Sequence, residues 1–305
     1  MTSAVLAPLS TDDAQDAGTS GPITSVAIVG GGFMGAGIAE CAALAGIPVV
    51  VYELPEYLDA ARQRLEGSLE RAVKRGKCAA ADRDSALGRT TLTSELTDVA
   101  GADLVVEAVP EDVELKTSIM KALGGIVADD AVIASNTSSI PIAQLASAMS
   151  HPDRVVGLHF FSPVPVMRLV EIVRALDTSD ETVEKAHRFA AQLGKQAIET
   201  KDRSGFIVNF LLIPYLMAAV RMFEDGFASR EDIDEGMKLG AGHPMGPLTL
   251  CDFIGLDVLH AVCNSLYEEF KRSEYAPPPL MKRMIAAGRL GRKSGRGFYD
   301  YAASN

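Results

Sequence analysis

Cysteine is scarce and scattered. The 305-residue chain has four, at positions 41, 78, 251 and 263, with no CxxC pair and no Cys/His cluster. That spacing excludes a zinc-ligand set and a disulfide framework, so no metal is expected, and reduced thiols in a cytoplasmic setting are. Positive charge is also short: 29 Lys and Arg against 40 Asp and Glu leave a net charge of −11. Nonspecific nucleic-acid binding needs a basic face, so that class of partner is not expected, although a local basic site for a phosphorylated ligand stays open. No clean apolar run of the ~20 residues that span a membrane is present. The nearest, Phe206 to Phe223, is interrupted by Asn209, Pro214 and Arg221. It reads as a buried helix kinked near Pro214 and shared with a partner subunit. The first 22 residues lack Lys and Arg and hold no apolar core. They have neither the basic start of a secretory signal nor the arginines of a mitochondrial presequence, and are expected as a disordered tail.

Glycine, in contrast, is concentrated where it can act. Ile23 to Val29 is an apolar run of strand type, followed at once by Gly30-Gly-Gly-Phe-Met-Gly-Ala-Gly37 and an Ala-rich helical stretch. A second apolar run, Pro48 to Tyr52, ends at Glu53. Gly30, Gly32 and Gly35 fall on the three positions that need a tight turn, a close backbone approach to a pyrophosphate, and close helix–strand packing. Strand, loop, helix, strand and acid in this order specify a dinucleotide site, and a carboxylate at Glu53 favours NAD over NADP because it repels a 2′-phosphate.

Length suits about two domains. Alternating strands and helices over 23–203 predict an α/β Rossmann-type domain; from 204 to 305 the pattern is helical nearly throughout, which predicts a second, all-helical domain. Pro55 to Lys77 reads as one long helix carrying Arg62, Arg64, Arg71, Lys74, Arg75 and Lys77. This is either a solvated face paired with acids such as Glu66 and Glu70 or an anchor for the phosphates of a large anionic substrate. Ser135-Asn-Thr-Ser-Ser139 follows a buried strand, where open α/β sheets bind ligands, yet Asn136 and Ser138 are equally suited to capping the next helix. Two further apolar runs carry His159 and Glu171 and flank a turn with Pro163 and Pro165. A strand pair joined this way can set a base beside its orienting carboxylate. The glycine-rich basic stretch 291–301 is either a solvated terminus or a segment folded back over the cleft. His151, His187, His243 and His260 lack comparable surroundings and read as structural.

Taken together, Gly30–Gly37, Ser135–Ser139, His159-Phe-Phe-Ser-Pro-Val-Pro165, Leu169-Val-Glu171, Gly205-Phe-Ile-Val-Asn209, His243-Pro-Met-Gly-Pro247 and Lys293-Ser-Gly-Arg-Gly-Phe-Tyr299 resemble the L-3-hydroxyacyl-CoA dehydrogenases, and among them most the single-function bacterial 3-hydroxybutyryl-CoA dehydrogenases. The resemblance runs from about Ile23 to Tyr301. It implies NAD-dependent oxidation of the 3-hydroxyl of an acyl-CoA and the reverse reduction, in a homodimer. It also implies roles residue by residue: His159 as base, Glu171 as its partner, Ser138 and Asn209 as substrate-positioning groups, Glu111, Lys116 and Lys293 as cofactor contacts, and Ser68 and Arg75 as substrate contacts. The family often has Asn where this chain has Ser162. The rival reading is a dehydrogenase of a free hydroxy acid or sugar acid on the same plan, which needs a cationic site for the substrate carboxylate. A catalytically silent NAD-binding protein would lack the His/Glu/Ser/Asn set, and all four are present.

Overall fold

The computed structural model describes residues 21–301, so the tail expected over 1–22 lies, but for Gly21 and Pro22, outside the described residues. Eight strands form one sheet: β1 (Val26–Val29), β2 (Val49–Tyr52), β3 (Thr90–Thr93), β4 (Leu104–Glu107), β5 (Val132–Ser135), β6 (Val155–Phe160), β7 (Leu169–Arg174) and β8 (Gln196–Lys201). Their order is β3-β2-β1-β4-β5-β6-β7-β8. The first six strands run parallel, β7 is antiparallel to β6, and β8 is parallel to β7. This is the Rossmann-type architecture anticipated from the alternation of elements. Chain order reverses between β1 and β4, and the crevice outside the carboxyl ends of such a strand pair is where doubly wound sheets take ligands.

β1, β4 and β5 are buried at every position, as parallel strands covered on both faces must be. Alternation then divides their side chains. Val26 and Ile28 face a core with α1 (Phe33–Leu44), α2 (Leu58–Lys74) and α6 (Asp180–Gln192). Ala27 and Val29 face the opposite core with α4 (Val113–Gly124) and α5 (Ile142–Ala146). The expected long helix from Pro55 begins with a short 3-10 turn over Pro55–Tyr57 before α2. A helix, α3 (Ala80–Gly88), and the edge strand β3 follow it and are additions to the sequence reading.

From α7 (Val208–Glu224) onward the chain is helical. α8 (Arg230–Ala241), α9 (Pro247–Ile254), α10 (Leu256–Phe270) and α11 (Pro279–Ala286) enclose a separate core around Leu216, Val220, Leu248, Leu259 and Met281. α7 runs continuously through Pro214 and is buried on one face only; Leu211 is 65 % exposed. The 291–301 stretch packs onto α9. Asp252 accepts from the backbone N–H groups of Phe298 and Tyr299 and from the Tyr301 hydroxyl, which ties this segment within the helical region. Among the described residues no single helix is long and apolar enough to cross a membrane.

Candidate active site

Glycine at Gly30 and Gly35 is a steric requirement. Gly30 has φ +104°, a backbone conformation that side chains rarely tolerate, and a Cβ there would meet the Ala108 carbonyl at 2.8 Å. A Cβ at Gly35 would lie 1.8 Å from the Gly30 carbonyl oxygen, so α1 could not pack so closely on the loop. A Cβ at Gly32 would meet nothing within 4 Å. Gly32 is also the N-cap of α1, with no side chain capping the helix and no acid in its first turn. A positive helix end with unclaimed N–H groups therefore opens at the switch point, as a pyrophosphate requires. Glu53, just past β2, accepts from Gly31 N–H at 2.8 Å and sets the loop beside the place for a ribose. These residues fit a dinucleotide.

His159 and Glu171 are direct partners across the antiparallel β6–β7 ladder. Their side chains meet at 2.6 Å, between His159 Nδ1 and Glu171 Oε2, and both are buried. A carboxylate can only accept, so Nδ1 carries the proton and Nε2 keeps its lone pair. The imidazole is further held by Phe161 and Phe206, with ring centroids at 4.5 and 5.3 Å. The other oxygen of Glu171 accepts from Ile207 N–H and Val208 N–H at 3.0 and 2.9 Å. Glu171 thus orients the histidine and also receives the N-terminus of α7, whose dipole favours a negative charge there. The approach to this helix passes through two consecutive left-handed residues, Gly205 (φ +77°) and Phe206 (φ +49°). For Phe206 that conformation costs about 1–2 kcal/mol, and it aims both N–H groups at Glu171. Asn209 follows in the first turn of α7.

Beside this pair, the 135–139 loop hangs from a buried polar network. Glu107, at the end of β4, accepts from Lys116 Nζ at 2.7 Å and from the Ser135 hydroxyl at 2.6 Å. Lys116 Nζ also lies 3.3 Å from Glu111. Glu111 in turn accepts from the Thr137 and Ser139 hydroxyls and from the N–H groups of Ser138 and Ser139. Burial works to raise the Glu111 carboxyl, but the Lys116 charge and these bonds outweigh it and hold it below its ordinary value. Lys116, expected at the cofactor, is itself 1 % exposed, with its ammonium turned to Glu107 and Glu111. The capping role open to Asn136 and Ser138 is filled otherwise: Asp202 takes the first N–H groups of α5, and Asn136 accepts from Phe160 N–H on β6. The Ser138 hydroxyl makes no hydrogen bond among the described residues.

Ser68 and Arg75 line a groove of about 910 Å³ between α1, α2 and the turn Pro163–Val166. Of the six basic side chains noted on the long helix, Arg64, Arg71, Arg75 and Lys77 line it, whereas Lys74 pairs with Glu70. Among the described residues Arg71, Arg75 and Lys77 make no ion pair. His159, Ser138 and Asn209 do not line the groove; the connection is the Pro163–Val166 turn, which joins the strands of the His–Glu pair. Ser162 is exposed at the start of that turn. Lys293 stands apart, ion-paired with Asp257 at the start of α10. Sequence reasoning passed over Glu107, whose only signal is an acid closing an apolar strand, and Asp202, which meets α5 from 60 residues away.

Family models described as the 3-hydroxyacyl-CoA dehydrogenase NAD binding domain and C-terminal domain match residues 25–203 and 205–301 respectively. The chain belongs to the 3-hydroxyacyl-CoA dehydrogenase family. Its relatives include a 3-hydroxybutyryl-CoA dehydrogenase of Mycobacterium tuberculosis, 52 % identical over 285 residues that cover 92 % of this chain and 100 % of the relative. One of Bradyrhizobium diazoefficiens is 42 % identical over 280 residues, covering 92 % and 96 %. Among solved structures, an (S)-3-hydroxybutyryl-CoA dehydrogenase from Ralstonia eutropha superposes with a TM-score of 0.87 at 46 % identity, covering 92 % of this chain and 99 % of that one. This family member is accordingly an NAD-dependent oxidoreductase.

Proposed function

We propose that the enzyme interconverts (S)-3-hydroxyacyl-CoA and 3-ketoacyl-CoA, with 3-hydroxybutyryl-CoA foremost among its substrates, and that His159 is its base. The observation that carries the reading is the buried His159–Glu171 contact at 2.6 Å, on a sheet whose first loop fits a dinucleotide. His159 Nε2 takes the proton of the substrate 3-hydroxyl as positive charge grows on the ring. Glu171 stabilises that imidazolium and fixes the tautomer. Ser138, its hydroxyl free and its loop held by Glu111, bonds the same substrate oxygen; Asn209 positions the thioester carbonyl. Gly30, Gly32, Gly35 and Glu53 would hold NAD, with Glu111, Lys116 and Lys293 as the further contacts assigned to it, and the bound cofactor would supply the hydride acceptor.

Four cations along the groove support a CoA substrate over a free hydroxy acid, which needs only one or two. Ser68 and Arg75 are the contacts assigned to it. The same reading takes the boundary near residue 203 as the domain junction. It places the enzyme in the cytoplasm, where thiols stay reduced, in keeping with four free cysteines. A homodimer buries apolar side chains such as Leu211 and Phe227, which one chain leaves 65 % and 79 % exposed. The test is kcat/KM with NADH for acetoacetyl-CoA against free acetoacetate, extended over acyl chains from four to sixteen carbons. Preference for the CoA ester by several orders of magnitude is expected; equal turnover of free acetoacetate refutes the substrate class.

A further inference from the structure

Glu40 lies at the middle of α1 and lines the substrate groove, yet it is only 1 % exposed. Ser68 is a polar neighbour that favours its ionised form, but Oε2 has no hydrogen-bond partner. Among the described residues no cation pairs with Glu40. Arg71 and Lys195 act on it only at longer range, and the Lys195 ammonium is taken by the Val164 and Met167 carbonyls. A carboxyl oxygen left without a donor in a buried wall is costly unless something arrives to supply one.

We infer that Glu40 reads the ligand: its free oxygen accepts an amide N–H of the pantetheine arm of the acyl-CoA. The inference rests on the CoA reading above. Position selects the donor. A Cβ at Gly37, one turn before Glu40, would touch Val164 in the turn beyond His159, so this part of α1 adjoins the reacting end of the groove. Arg71, Arg75 and Lys77 gather where α2 ends, the place for phosphates. The segment of the ligand between thioester and phosphates is pantetheine, whose hydrogen-bond donors include two secondary amides. A carboxyl group would repel a phosphate but suits an N–H. Burial, which raises the Glu40 carboxyl above its ordinary value, further disfavours any role as a lone charge.

The test compares wild type with Glu40→Leu and Glu40→Gln on acetoacetyl-CoA, acetoacetyl-pantetheine and the amide-free S-butyl thioester of acetoacetate. E40L should raise KM for both amide-bearing substrates about tenfold, the weight of one hydrogen bond, and leave KM for the S-butyl thioester unchanged. Saturated kcat and KM for NADH should stay within about twofold. E40Q keeps a carbonyl acceptor and should rescue most of the loss. If E40L fails to fold, Glu40→Ala makes the same truncation. An unchanged KM for acetoacetyl-CoA in the truncated variant, or an equal rise on the S-butyl thioester, overturns the inference. If wild type itself shows no preference for acetoacetyl-CoA over free acetoacetate, the CoA reading falls first.

Discussion

Replacing Glu171 by Gln is the most discriminating single change, because one buried carboxylate has three bonds to keep. Its Oε2 holds His159 Nδ1, and its Oε1 holds the N–H groups of Ile207 and Val208. Gln has the same shape but exchanges one acceptor for a donor pair. If its carbonyl stays with α7, its NH2 meets Nδ1–H; the ring must then move its proton to Nε2 and lose the lone pair that takes the substrate proton. If the amide turns round, the NH2 opposes two helix N–H groups. Either arrangement leaves a buried donor unmet, which costs about 1–3 kcal/mol. Loss of a charge at a helix N-terminus adds roughly 0.3–2 kcal/mol. We expect about 1–5 kcal/mol less stability in urea unfolding and a kcat for acetoacetyl-CoA reduced roughly 10²–10⁴-fold, followed by NADH absorbance. KM for NADH should change by less than about threefold. A variant with wild-type kcat, or with kcat reduced and stability untouched, would refute the dual role given to this carboxylate.

His159→Gln should fold and bind NADH but lose kcat by roughly 10²–10⁴ or more; near-normal turnover would remove His159 as the base. Glu53→Ala should raise KM for NADH about tenfold while kcat at saturation holds, since it removes a cofactor contact and the brace on Gly31; an unchanged KM would place the ribose elsewhere. Glu111 gives a pH signature. Its folded pKa is below the ordinary 4.5, so an unfolded chain takes up the proton first. Its contribution to stability is therefore complete above pH 4.5 and is lost as pH falls through the folded value. Glu111→Gln should flatten the acid limb of the stability curve; a limb as steep as wild type would show that the carboxylate does not hold the 135–139 loop.

Some of this was legible in the residues alone. Part of the glycine loop is a local steric problem, so the need for glycine at Gly35, against the Gly30 carbonyl, could be read without a distant neighbour in view, whereas Gly30 also answers to Ala108. The two runs around Pro163 and Pro165 read correctly as strands because β-branched residues fill them. What spacing could not show is what distant segments bring. The cap on α5 comes from Asp202, and the second load on Glu171 from Ile207 and Val208. β3 escaped notice because four residues, Thr-Thr-Leu-Thr, at an exposed sheet edge have little apolar signal. The basic helix is divided in a way that spacing could not show: Arg64, Arg71, Arg75 and Lys77 line the groove, and Lys74 belongs to a surface pair.

The ladder between β6 and β7 has one more consequence. Side chains alternate across a sheet, so a shift of one residue would turn His159 and Glu171 to opposite faces. The alignment of base and carboxylate therefore depends on backbone pairing across the strands, while the connecting stretch 161–168 forms a wall of the groove through Pro163, Val164, Pro165 and Val166. The pairing of His159 with Glu171 and a wall of the groove are thus carried by adjacent pieces of one hairpin. Changes at Pro163 to Val166 should therefore reshape the groove while leaving the His159–Glu171 pairing in place, whereas a one-residue insertion within either strand should break that pairing.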